Sequence, residues 1–508
     1  MRTTTTSARL MGGSPSRFPL AISFASKRRC STGGQEGKHY AFLPSLVVAT
    51  SRTVSGAAIT GLMSSPTPAG GDAIPSALSQ SGAGPFWLAV LVTGIGTGLA
   101  TAALTRLLEI VQRLMWHGTG TDLLDAAGQA GAWRHILVLL GAGIVTGAGQ
   151  IILGRLSSGN GIDTTAAIWF HAGRMPALRT LGSAVLSVVI VGMGAALGRE
   201  GAPKQAGAVI ANVFSDKARL SDEQRRLLVA CGSGAGMAAA YGVPLGGALF
   251  ALEVMRGMLA LRYVLPALFA SVVATAVSWL LLPDASTYPI PAYSSSASSV
   301  VWALLAGPIA GAVSVGYVRA VTWADRNKPD GWRRLAAPVL VLGLLGAVSI
   351  PFPQLLGNGK DISQLAFTNQ VAPTLLLILL ALRPLATVMC VRSGAPGGLF
   401  TPSLTVGALL GAVLGHAWSW FWPGVPPGLF ALLGAAAVLA ATTQGPISTV
   451  VLMMELTGRD RSFIVPLLLA VATATLVART IEPRSIYDAR LTDEEVEARR
   501  KLRELPPR

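Results

Sequence analysis

Gly198-Arg199-Glu200-Gly201-Ala202-Pro203-Lys204-Gln205-Ala206-Gly207-Ala208 can be written above Gly398-Leu399-Phe400-Thr401-Pro402-Ser403-Leu404-Thr405-Val406-Gly407-Ala408. Glycine stands at the first and tenth places of both stretches, and both interrupt apolar sequence. The match continues downstream. Gly232, Pro244-Leu245 and Glu253 are followed 202 residues later by Gly434, Pro446-Ile447 and Glu455, with the Gly-to-Pro and Pro-to-Glu spacings kept. Two halves, each with a Gly-rich break and then a Pro-led helix ending in Glu, are the pattern of a transporter built from an internal repeat. The spacing leaves open whether the second half is inverted.

Outward from the breaks the chain is apolar. Runs recur at 85–104, 135–153, 184–197, 263–282, 300–318, 335–350, 375–390, 404–421 and 463–477. Some are long enough to cross about 30 Å of hydrocarbon, and the short ones are cut by Gly and Pro. Broken helices at membrane depth are tolerated only inside protein or along a wet cavity. The 508 residues are 51% hydrophobic and 13% charged, with a mean hydropathy of +0.56. That is too little charge to coat a soluble particle and too much apolar residue for a disordered chain. The 58 glycines suit close helix packing in lipid. Long unbroken runs and only 6% aromatics argue against an outer-membrane barrel. The expected fold is an all-α polytopic membrane protein.

The net charge of +16 divides unevenly. Residues 1–62 carry eight Lys/Arg and one acid. The rest of the excess lies in loops, as cytoplasmic loops facing anionic lipid require. No basic cluster is interleaved with aromatics, so nucleic acid is not an expected partner. Residues 1–82 read as an N-terminal extension: a transit-like segment, a disordered tail, or the product of a start placed ahead of Met63. Residues 83–491 form the transmembrane domain, with halves of about 83–282 and 300–491. Residues 492–508 read as a short, solvated, charged cytoplasmic helix or tail with no regulatory domain. Three distant cysteines give no disulfide framework or metal site. No His-Glu-x-x-His, Ser/His/Asp set or Cys cluster marks an enzyme, and no cofactor or metal is expected.

Charge is scarce at the breaks. Between 227 and 283 only Glu253, Arg256 and Arg262 are charged, and between 374 and 458 only Arg383, Arg392 and Glu455. Ionisable residues at membrane depth are functional candidates. A helix N-terminus offers free amides and about half a positive charge, so several such ends aimed at one spot can strip water from an anion. Binding then stays weak enough for release. Four segments offer this: Ser158-Gly159-Asn160-Gly161-Ile162, Gly198 to Gly201, Gly397 to Pro402, and Ile486-Tyr487.

On these residues the sequence resembles the CLC chloride channels and chloride/proton antiporters, over about 85–491. Gly198-Arg199-Glu200-Gly201 with Gln205 is similar to the family's glutamate-bearing filter motif, and Gly397 to Pro402 to its third filter motif. Ala238 to Glu253 and Pro446 to Gly458 look like the helices that follow. The resemblance implies inverted repeats, a homodimer with one anion pathway per subunit, a place in the cell inner membrane, and both termini cytoplasmic.

Carried over residue by residue, the resemblance makes Glu200 the gate. Its carboxylate would occupy an anion site until protonation or chloride displaced it; the structural alternative is a pairing with Arg199. Gly159, Asn160, Gly161, Ile162, Arg199, Gly201, Gly398, Leu399 and Phe400 are implied to line the anion sites, and the Tyr487 hydroxyl to meet the innermost ion. The first filter motif departs from the family, with Asn160-Gly161-Ile162-Asp163 in place of Ser-Gly-Ile-Pro. This opens nitrate and fluoride beside chloride, while Asp163 suits an N-cap. Lys204 is also atypical, as a vestibule charge or a solvated side chain. Val254 stands where family antiporters carry an internal proton-transfer glutamate. Glu253 is a proton-path candidate, although it points about 100° away on an α-helix. Val254 makes channel-like chloride flux the first expectation and chloride/proton exchange the second; a membrane-embedded enzyme is the reading from another class.

Overall fold

The computed structural model describes residues 74–75, 79–80, 82–117, 122–156, 163–459 and 461–504. Nearly all of the expected N-terminal extension therefore lies outside the described residues. The first half contains α1 Ala83–Trp116, α2 Leu123–Gly128, α3 Ala132–Leu156, α4 Thr164–Phe170, α5 Ala177–Gly192, α6 Gly201–Lys217, α7 Asp222–Tyr241, α8 Pro244–Phe250 and α9 Leu261–Ser278. The second contains α10 Ala297–Arg326, α11 Arg333–Ser349, α12 Lys360–Phe367, α13 Pro373–Arg392, α14 Phe400–Phe421, α15 Pro427–Thr443, α16 Pro446–Thr457, α17 Ile464–Ile481 and α18 Asp493–Glu504. No β-strand occurs among the described residues. Seven helical segments among them, at α1, α3, α9, α10, α13, α14 and α17, are long and apolar enough to cross a membrane. The protein is an integral, multi-pass, all-α membrane protein.

Local chemistry sets the helix ends. Ser221 and Gln224 close a capping box at the start of α7, and Ser296 with Ser299 does the same for α10. Asp163 accepts from the Thr165 amide and caps α4, as its position suggested. Proline opens α8, α13, α15 and α16, where its missing N–H costs nothing. α1 extends past the apolar run 85–104 to Trp116, and beyond the run Arg106 and Glu109 pair one turn apart on its surface. The run 184–197 is not one span. α5 ends at Gly192 and the chain turns through Gly194 at φ 110° toward the first break.

The repeat is visible in the packing. α1 lies on α9 and α10 on α17. A Cβ on Gly98 would sit 2.5 Å from the Ala274 carbonyl oxygen, and one on Gly311 the same distance from that of Ala474. Both pairs use glycines four apart, Gly94 and Gly98 against Gly307 and Gly311, to bring backbones together where lipid provides no hydrophobic drive. Gly207 meets Gly232 where α6 crosses α7, and Gly407 meets Gly434 where α14 crosses α15, with no room for a side chain. α3 and α11, one from each half, pack together. Their buried histidine, His135, is satisfied by Ser349 at 2.8 Å and the Ala127 carbonyl at 2.9 Å.

The halves meet head to head. Gly198 and Gly398 donate to each other's carbonyl at 2.8 Å, an isolated antiparallel bridge at the starts of α6 and α14. Each half thus presents a helix N-terminus to the other, which makes the repeat inverted.

Candidate anion site

Glu200 is the residue before the first turn of α6 and is 2% exposed. Its carboxylate reaches across to the N-terminus of α14. Oε1 accepts from the Phe400 amide at 2.6 Å and the Thr401 amide at 3.3 Å. Oε2 accepts from Thr401 Oγ1 at 3.1 Å and Tyr241 Oη at 3.4 Å, and those two hydroxyls are 2.8 Å apart. A buried carboxylate is tolerated when its oxygens meet donors and a helix N-terminus supplies positive potential. The same donors would suit any small anion.

The breaks need glycine because of this approach. A Cβ on Gly198 or on Gly398 would come within 2.5 Å of the Glu200 carboxyl carbon. The amide of Gly398 is bonded to Gly198, so the donors that reach the carboxylate are those of Phe400 and Thr401. The carboxylate seat shares Phe400 with the expected Gly398-to-Phe400 set and adds Thr401. Leu399 precedes the first turn of α14, and Gly201 packs against Gly398. Arg199 does not pair with Glu200; its guanidinium lies 5.0 Å from the centroid of the Tyr241 ring. Gly159, Asn160, Gly161 and Ile162 lie outside the described residues.

Aromatic rings lead inward from the seat. Phe400 stands 6.3 Å from Tyr241 and 6.4 Å from Phe250, and Phe250 is 5.7 Å from Tyr487. Tyr487 is half-buried, and its hydroxyl is enclosed without a hydrogen-bond partner among the described residues. The backbone beside it is fixed by Ile486 N–H donating to the Thr442 carbonyl at 2.7 Å. The next residue, Asp488, accepts from the amide and hydroxyl of Ser485, each at 2.8 Å, and from Arg499 of α18.

α8 runs on into a π-helical turn, Ala251–Arg256, that carries Glu253 and Val254. Both Glu253 oxygens are engaged, by Ile447 N–H at 3.1 Å and Ser448 N–H at 2.6 Å, at the start of α16. Glu455, from the end of α16, returns the contact to Leu245 N–H at 3.0 Å and Gly246 N–H at 2.6 Å, at the start of α8. Each Pro-led helix is capped by the glutamate that ends the other. Val254 is 2% exposed, and its carbonyl accepts from Arg499 at 2.9 Å.

Two contributors escaped the sequence reading: Tyr241, the last residue of α7, and Thr401. Thr401 lies inside the third motif, where a hydroxyl one place after Phe400 was the available signal. Nothing in the spacing brings Tyr241 to Glu200.

The family model for the voltage gated chloride channel matches residues 142–479. A voltage-gated ClC-type chloride channel, ClcB, of Citrobacter koseri is 29% identical over 419 residues, covering 79% of this chain and 97% of the relative. The ClcB of Escherichia coli O157:H7 is 31% identical over 418 residues, covering 79% and 97%. An H(+)/Cl(-) exchange transporter, ClcA, of Vibrio parahaemolyticus is 31% identical over 312 residues, covering 58% and 66%. In fold the chain is similar to a slow cyanobacterial Cl-/H+ antiporter, with a TM-score of 0.70 at 23% identity and coverage of 83% and 98%. With the match spanning most of its transmembrane helices, the chain belongs to the voltage gated chloride channel family of anion transporters and channels.

Proposed function

We propose that the protein exchanges chloride for protons across the membrane. The observation that carries this reading is the Glu200 carboxylate seated 2.6 Å from the Phe400 amide. A titratable group occupying an anion seat links the two ions. Protonation cancels the negative charge and weakens the hold of the amides. The neutral side chain leaves, and chloride takes the same donors. Chloride departure and loss of the proton then restore the carboxylate. The 31% identity with an H(+)/Cl(-) exchange transporter supports exchange over the channel-like flux that Val254 first suggests. Val254 provides no inner proton carrier and Glu253 serves as a cap, so the inner proton step runs through water. The protein acts as a homodimer in the inner membrane, with both termini cytoplasmic.

The second reading, uncoupled flux, rests on Val254, and one experiment separates the two. Reconstituted protein under a chloride gradient without a proton gradient is expected to drive protons uphill at a fixed ratio. Glu200→Gln is expected to abolish proton movement and leave chloride flux, whereas Glu253→Gln is expected to keep the coupling. Chloride efflux with no proton movement in the wild type would establish the channel reading. Loss of coupling in Glu253→Gln would return that residue to the proton path.

A further inference from the structure

Lys204 lies one turn beyond Glu200 on α6, and the sequence suggests a vestibule or solvated charge. The structure places it elsewhere. It is 7% exposed, with Nζ 4.3 Å from the centroid of the Tyr487 ring. Helical side chains lean toward the N-terminus, which carries its long stem back toward the break. The Tyr487 hydroxyl, at the edge of the same ring, is buried without a partner among the described residues, a costly state for a polar group. An ammonium over the ring face and an unpartnered hydroxyl at its edge are close enough for one small anion to touch both. Phe250 closes the neighbouring side.

We propose that Lys204 is a fixed positive charge at an inner anion site shared with Tyr487, and that it sets the anion affinity of the pathway. A helix end contributes about half a charge, partly screened. A buried ammonium contributes a whole one. Tight holding slows release, because conduction needs a site weak enough to leave. The inference rests on the reading of this site as an anion pathway but not on proton coupling.

The test is chloride titration by calorimetry into purified full-length protein held in a chloride-free isethionate buffer. Lys204→Met is expected to raise the chloride Kd about tenfold, equivalent to about 1.4 kcal/mol. Lys204→Arg, which keeps the charge, is expected to stay within about threefold of wild type on the same scale. In liposomes, Lys204→Met is expected to half-saturate at higher chloride and to reach a higher maximal rate. Monodispersity and the melting midpoint report folding, and Lys204→Gln replaces the methionine variant if that one aggregates. Wild-type affinity in the uncharged variant overturns the proposal. So does an equal loss in Lys204→Arg, which would make the residue a packing element. Chloride binding with a Lys204-dependent Kd but no uphill proton movement refutes exchange and leaves this site standing. A wild type that binds neither chloride, nitrate nor fluoride refutes both.

Discussion

A single hydrogen atom decides how the Glu200 carboxylate seats. The side chain of Gly398 is one, and replacing it with a methyl group would place a carbon 2.5 Å from the carboxyl carbon of Glu200. Gly398 is not held at positive φ, so Gly398→Ala carries no backbone strain of that kind. The expected result is a folded protein whose carboxylate no longer seats on the Phe400 and Thr401 amides. On the proposed exchange, chloride should pass with reduced proton coupling, in the same direction as Glu200→Gln. Wild-type exchange stoichiometry in Gly398→Ala liposomes would show that the seat tolerates the methyl and that the glycine serves another purpose. At this scale the sequence was legible wherever function needs close approach, because only glycine permits it and glycine leaves a mark at both copies of the repeat. Glu200 was legible as a charge among apolar neighbours. Tyr241 was not, since its hydroxyl reaches Glu200 from another helix and no spacing encodes that meeting. Lys204 misled for a related reason: a lysine reads as solvated until the fold shows what its stem crosses.

Among the elements, α18 departs furthest from its sequence reading. The end expected to be a short solvated helix or tail is a helix, but it turns Arg499 inward rather than leaving it solvated. Arg499 is 2% exposed, bonds Asp488 and the Val254 carbonyl, and lies 5.0 Å from the centroid of the Trp169 ring. A stretch rich in both signs of charge gives no cue to which arginine turns in. The helix start carries a reciprocal Thr492–Glu495 cap and the exposed Asp493, paired with Arg326 at 2.6 Å and Arg484 at 2.7 Å. Exposed pairs are worth about 0–1 kcal/mol, whereas removing one partner of a buried pair costs about 3–5 kcal/mol. Asp488 keeps its two bonds from Ser485, which places the loss at the lower end. Arg499→Ala is therefore expected to make α18 a target for limited proteolysis and to lower the melting midpoint, while Arg326→Ala leaves both nearly unchanged. Equal protease resistance in the two variants would mean that α18 is held by something other than Arg499. α7 also escaped detection as an apolar run, because it opens with Asp222, Glu223, Arg225 and Arg226.

Over the whole molecule, the repeat predicts an equality. Glu253 caps α16 from the first half with contacts of 3.1 and 2.6 Å, and Glu455 caps α8 from the second with 3.0 and 2.6 Å. The capped residues are matched in setting as well, Leu245 being 52% and Ile447 51% exposed. The sequence showed both glutamates at one spacing from their prolines but not that each reaches into the other half, since a repeat read in one dimension carries no hand. Reciprocal contact is the signature of a two-fold relation, in which what one half does to the other is done back. Each cap satisfies two helix-end amides with a charged acceptor, and hydrogen bonds to charged groups contribute about 1.5–3 kcal/mol. Glu253→Ala and Glu455→Ala should therefore destabilise by similar amounts, about 2 kcal/mol each on that scale, read as similar falls in the melting midpoint in detergent. The double variant should fall further than either, because both ties between the halves at α8 and α16 are then lost. If Glu253→Ala cost little stability yet removed proton coupling, the equality would fail. The first half's glutamate would then have a transport duty that its partner lacks.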